Sequence, residues 1–239
     1  MLFGGEHPLG QRLLLVFRAE PASLAPWLSD DFQLRPFLGL GIAGIWIERQ
    51  ERVSRLLPAR LAATQSVVHH LYVTSKQAPH RDRAGVLIVR RDTSSRWKSW
   101  STVGPELVRR HHARFRIRRG RESIDLVVDS DDRVMHVALA AQLSKELPAC
   151  SAFRSIADAT AFLQPGSSFL EAVEGTPKSE APQSAKWRLQ PLSVQRVESS
   201  LFGSHPSTGP LQFDSAFALR SIEWSWQQEP AFCGDAATA

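Results

Sequence analysis

Apolar residues in this chain come mostly in short runs, several with a two-residue period, and those runs predict strands rather than long helices. Leu13 to Phe17 is an unbroken apolar stretch of strand length. Pro21 to Leu28 predicts a short helix with proline near its first turn, ending at Ser29-Asp30-Asp31. Phe32, Leu34 and Phe37 begin a second extended segment, and Ile42 to Glu48 a third. Ser66 to Thr74 alternates, with Val67, His69, Leu71 and Val73 on one side and Val68, His70 and Tyr72 on the other. Gly85 to Arg90, His112 to Arg118, Ser123 to Val128 and Val134 to Ala140 read as further strands, with a hairpin tip at Arg119-Gly120-Arg121. Ser155 caps a helical pattern running to Leu163. Trp187 to Val197 and Leu211 to Trp226 are the last extended segments, and Gly175 to Ala185 reads as a mobile surface loop. The whole pattern predicts about ten short strands and two or three short helices, which is that of a closed or folded-over antiparallel sheet. No repeat or linker divides it, so residues 1–227 are expected to form one domain, followed by a flexible tail over 228–239.

The strand around Arg114 is the most polarised. His112, Arg114, Arg116 and Arg118 share one side, while Ala113, Phe115 and Ile117 share the other. The apolar side must pack on a core. The cationic side can face water, an anionic partner or a polar cavity. A solvated face, with its charges guarding a sheet edge, suits the arginines from Arg116 to Arg121. Binding along a phosphate backbone would call for interleaved stacking aromatics, and only Phe115 interleaves, on the opposite face, which argues against nucleic acid.

Composition narrows the chemistry. The 239 residues are 43% hydrophobic and carry a net charge of +5, so an anionic partner is compatible, as is plain solubility. Of 29 basic residues only five are lysine: Lys76, Lys98, Lys145, Lys178 and Lys186. The two cysteines, Cys150 and Cys233, are too far apart for a disulfide framework or a structural zinc site. The histidine pairs His69-His70 and His111-His112 can each give only one imidazole to a common centre, because strand neighbours point to opposite faces. Gly39, Gly41 and Gly44 fit G-x-G-x-x-G, yet they run into the β-favouring Ile45-Trp46-Ile47, with no acid between Glu51 and Asp82. They mark a bend or bulge rather than a dinucleotide site. No cofactor and no metal is expected. Uncharged stretches such as Pro36 to Ile47 are too short to span a membrane, and no leader pattern opens the chain, so a cytoplasmic protein is expected.

Longer phrases carry a resemblance. These are Phe153-Arg154-Ser155-Ile156-Ala157-Asp158-Ala159, Trp187-Arg188-Leu189-Gln190-Pro191-Leu192, Glu198-Ser199-Ser200-Leu201-Phe202, and Phe213-Asp214-Ser215-Ala216-Phe217-Ala218-Leu219-Arg220. Together with Leu71-Tyr72-Val73 and His111-His112-Ala113-Arg114-Phe115, they make residues 10 to 226 resemble an uncharacterised bacterial family of the acetoacetate decarboxylase-like superfamily. The resemblance implies a β-barrel-like double sheet with a polar cavity and a tendency to form homo-oligomers. The decarboxylases place a Schiff-base lysine after a Gly-x-Pro-like turn. The comparable turn here, Val103-Gly104-Pro105-Glu106-Leu107, puts Glu106 there instead. The expectation is therefore a barrel that holds a small, carboxylate-bearing molecule without lysine chemistry. His112, Arg114 and Arg220 would contact the anion, Tyr72, Glu106 and Asp214 would orient it, and His112 or Glu106 would serve as general base in any turnover. The alternative is a non-catalytic scaffold whose arginine-rich surface meets an anion or a nucleic acid.

Overall fold

The computed structural model describes residues 12–51, 63–76, 81–96, 99, 109–164, 169–170, 179–182, 188–203, 211–220 and 226–228. Glu106, Lys98 and the tail from 229 onward lie outside them, as does the side chain of Arg220. In chain order the elements are β1 (Arg12–Ala19), α1 (Pro21–Leu24), β2 (Phe32–Leu34), β3 (Gly41–Glu51), β4 (Ala63–Ser75), β5 (Ala84–Thr93) and β6 (Arg110–Arg119). There follow β7 (Ser123–Ser130), β8 (His136–Leu143), α2 (Ile156–Leu163), β9 (Phe169–Leu170) and β10 (Ser179–Pro182). The last are β11 (Arg188–Ser199), α3 (Ser200–Gly203), β12 (Gln212–Arg220) and β13 (Trp226–Gln228). The segment expected to be a mobile loop thus contributes β10, which pairs with β9 and β13. Backbone pairing there prevails over the Gly, Pro and Ser content that reads locally as a loop.

Nine strands close a ring in the order β5, β6, β7, β8, β11, β12, β1, β3, β4, with β4 pairing back onto β5. Most pairings are antiparallel, as the short connections dictate. The exceptions are β5 with β6 and β5 with β9, which run parallel. β11 is the corner of the ring: its first residues pair with β12 and the rest with β8.

Alternation along each strand creates two apolar layers. One takes a residue from every strand of the ring, among them Leu13, Ile45, Leu71, Leu87, Ala113, Leu126, Leu139, Leu192 and Ala216. That layer is the barrel lumen, and Phe202 of α3 packs into it edge-on to Phe17. The other layer lies outside the wall made by β1, β3, β4, β5 and β12 and is covered by Phe153 and by Ala159, Phe162 and Leu163 of α2. Ser155 starts α2 as the sequence predicts, its hydroxyl accepting from the Asp158 amide at 3.0 Å. The lumen of the described residues is therefore a packed apolar core with a few polar groups, rather than the polar cavity the resemblance implies.

Candidate functional site

Because the lumen takes Ala113, Phe115 and Ile117, the cationic side of β6 faces outward. There it meets acids from β7 and the turn after it. Arg116 bonds Asp129 at 2.8 Å, Arg114 approaches Asp131 at 3.3 Å, and His112 Nδ1 lies 2.8 Å from the same Asp131. The hydrogen bond from His112 holds the Asp131 carboxyl below its ordinary range. Arg114 has a side chain 72% exposed. The sequence expectation that His112 and Arg114 line a cavity fails on this point: the greasy side of β6 is the lumen side. Asp129 of β7 thus meets Arg116, while Asp125 on the same strand meets Arg196 of β11 at 3.7 Å.

The polar groups that do enter the lumen come from β4, β5, the start of β6 and the β7–β8 turn. Across β4 and β5 the register shifts, so that His69 faces Arg90 while His70 faces Ile88. The extra residue on β5, Val89, turns Arg90 and Asp92 inward, where strict alternation from Val86 and Ile88 would send Arg90 outward. Arg90 donates to both oxygens of Asp92 at 2.9 Å and to Asp132 at 2.8 and 2.9 Å. His111, inward like Ala113, sits 2.9 Å from Asp132. Burial pushes Asp92 up, whereas Asp132 ends below the ordinary carboxylate range because the hydrogen bonds from Ser130 and Arg90 outweigh its desolvation. Two carboxylates already claim the single guanidinium, so this cluster ties β5 to the β7–β8 turn and presents no spare positive charge.

Asp214 is also committed. It is the extra residue in a bulge of β12 against β1. Its oxygens accept from the Ser151 hydroxyl at 2.7 Å, the Ala152 amide at 2.7 Å, the Ser215 hydroxyl at 2.9 Å and Arg18 at 3.3 Å. It pins the loop before α2 onto the barrel wall and has no oxygen left for a ligand, contrary to the orienting role expected of it. Of the described lysines, Lys76 and Lys145 are both exposed, and neither enters the lumen.

A different set of polar groups is uncommitted. On the outer face of β4, beneath α2, lie His70 and Tyr72, both fully buried. Among the described residues the Tyr72 hydroxyl and His70 Nε2 have no hydrogen-bond partner. His70 is stacked on Trp46 with ring centroids 4.2 Å apart, and its ring sits over Gly44, the residue opposite it on β3. Burial pushes the imidazole down to about 3 and pushes the Tyr72 phenol well up, so both are neutral throughout the physiological range. Arg35 follows β2, and its backbone amide donates to the Tyr72 carbonyl at 2.9 Å. Its guanidinium stacks 4.5 Å from the Phe162 ring centroid and donates to the Phe162 carbonyl at 3.1 Å, near the end of α2. That bond uses one of five N–H groups, and among the described residues no carboxylate pairs with it. Desolvation lowers its affinity for a proton, and the charge still acts on Tyr72. Phe162 stands between them, with its centroid 5.3 Å from that of Tyr72.

Among the described sequence candidates, Tyr72 is thus the one with a buried polar group left unpartnered. Its companions, His70 and Arg35, were not singled out as ligand contacts. His70 carried a signal, as a histidine on an otherwise apolar strand face. Arg35 carried none, since it meets Tyr72 only when β2 pairs with β4, and Phe162 only when α2, well over a hundred residues later, folds back on β4.

No family model matches the chain, and no curated protein does. Among solved structures the chain is similar to the enduracididine biosynthesis enzyme MppR complexed with pyruvate, at 10% identity, over 87% of this chain and 83% of that one, with a TM-score of 0.54. It is also similar to acetoacetate decarboxylase from Legionella pneumophila, at 10% identity, over 87% and 80% of the two chains, with a TM-score of 0.50. What is shared at such identities is the fold. The mainly β, closed-barrel architecture expected from the resemblance is the one found.

Proposed function

We propose that the protein binds a small carboxylate-bearing molecule between the outer wall of the barrel and α2, with Arg35 and Tyr72 as the carboxylate contacts. The observation that carries this is the pairing, among the described residues, of a half-buried arginine without a carboxylate partner and a buried tyrosine hydroxyl without a hydrogen-bond partner. A carboxylate would satisfy both at once, by charge-assisted bonds from Arg35 and a donated bond from Tyr72. Leaving such groups unmade costs about 1–3 kcal/mol each, so their presence in a well-packed layer asks for a compensating role. The resemblance in fold to a structure complexed with pyruvate agrees with a small organic acid.

The site favours binding over proton transfer. His70 and Tyr72 stay neutral near pH 7, and a general acid or base works best with a pKa near the working pH. The arginine-surface alternative finds less support, since the outward Arg114 and Arg116 already face Asp131 and Asp129.

Heat stabilisation by butyrate tests the reading. The parent protein gains Tm with butyrate, and Arg35→Met weakens the binding about 10- to 100-fold, the value of a charge-assisted bond of roughly 1.5–3 kcal/mol. Equal stabilisation of parent and variant would remove the site.

A further inference from the structure

The second polar group of this site restricts the ligand further than a carboxylate alone. His70 Nδ1 lies 3.4 Å from the Val68 carbonyl oxygen. A carbonyl can only accept, so this contact favours the tautomer with the ring proton on Nδ1, which leaves Nε2 of the neutral ring a lone pair. The opposite tautomer would set two acceptors against each other. The ring is held in place by Trp46 stacked on it and by the missing side chain at Gly44. That lone pair is fully buried and, among the described residues, unpartnered, on the same face of β4 as the likewise unpartnered Tyr72 hydroxyl two residues on. The two rings lie 5.2 Å apart between centroids, which is within the span of one short ligand and its hydrogen bonds. Along this line the protein offers an acceptor at His70, then a hydroxyl donor at Tyr72 and a cation at Arg35.

We infer that the ligand is a short hydroxycarboxylate, whose carboxylate rests on Arg35 and Tyr72 while its hydroxyl donates to His70 Nε2. This builds on the carboxylate reading above. A keto acid would set its carbonyl oxygen against the Nε2 lone pair, with no proton between them. An amino acid would bring a desolvated ammonium beside Arg35, where like charges repel.

Calorimetric titration with 3-hydroxybutyrate, acetoacetate and butyrate tests it. The hydroxy acid binds about tenfold more tightly than either of the others, the value of one satisfied buried acceptor. His70→Phe, which keeps a ring but removes the lone pair, abolishes that preference. The nitrogen-15 spectrum of the histidine rings gives a readout in the unaltered protein. Nε2 of His70 is unprotonated in the free state, and its resonance moves on adding 3-hydroxybutyrate but not acetoacetate. Tighter or equal binding of acetoacetate, or a protonated Nε2, overturns the hydroxyl contact while leaving the carboxylate site intact. Failure of all three acids to bind overturns both.

Discussion

Gly44 and His70 stand opposite each other on β3 and β4, and the imidazole occupies the space that a side chain at position 44 would need. Backbone neighbours in a sheet thereby fix where Nε2 sits. Gly44→Ala is expected to push the ring off Trp46 and to destabilise the fold by about 1–3 kcal/mol, the usual range for overpacking. Calorimetric unfolding checks this, and a variant as stable as the parent would mean that His70 moves freely.

Acid should weaken the fold well before the carboxylates titrate. Burial holds His69 and His70 neutral, each pushed down to about 3 from an ordinary value near 6.5. The unfolded chain therefore takes up protons at these sites below pH 6.5 while the folded chain does not. Their stabilisation is complete above that pH and is lost as pH falls toward 3. By pH 4.5 the loss is about 2–3 kcal/mol per histidine. Asp92, raised by burial, gains a proton earlier in the folded state and offsets a part of this. Urea midpoints measured from pH 7 to 4.5 should fall steadily, and less steeply in His69→Gln. A flat profile would show that the imidazoles reach solvent.

The two groups of arginines should behave oppositely on truncation. Arg90→Ala leaves Asp92 buried without its partner and is expected to cost about 3–5 kcal/mol. Arg116→Ala breaks a pair whose arginine is mostly exposed and is expected to cost less than about 1 kcal/mol. Denaturant midpoints for the two variants provide the comparison, and similar losses would contradict the assignment of faces.

Much of the fold was legible because alternation reports which residues share a side. The apolar run Leu13 to Phe17, the two faces of β4 and the Ser155 cap all appear in the sequence as they appear in the structure. Alternation does not say which side is the lumen. On β6 the expectation that His112 and Arg114 line a cavity fails, because the lumen is the apolar side and Asp131 meets them outside, as Asp129 meets Arg116 on the face expected to be solvated. A bulge defeats alternation altogether: one extra residue at Val89 carries Arg90 from the outer face to the inner one. The proposed carboxylate site was harder still: the pairing of β2 with β4 brings Arg35 beside Tyr72, and Phe162 of α2 then packs against both, and no local pattern encodes either contact.

The bonds around Asp214 predict a local effect. Asp214→Ala strips partners from Ser151, Ala152 and Ser215, and the segment from Cys150 to Phe153 should become a site of limited proteolysis. Mass spectrometry of the fragments locates the cut. Resistance equal to the parent's would mean that Phe153, packed under α2, holds the segment alone.

The most direct measurement of the central claim is a crystal structure grown with 3-hydroxybutyrate. The account predicts density beneath α2, with the carboxylate between the Arg35 guanidinium and the Tyr72 hydroxyl and with Phe162 displaced to admit it. Density instead against Arg114 and Arg116 on the outer face of β6, or at the Arg90–Asp132 cluster, would contradict it.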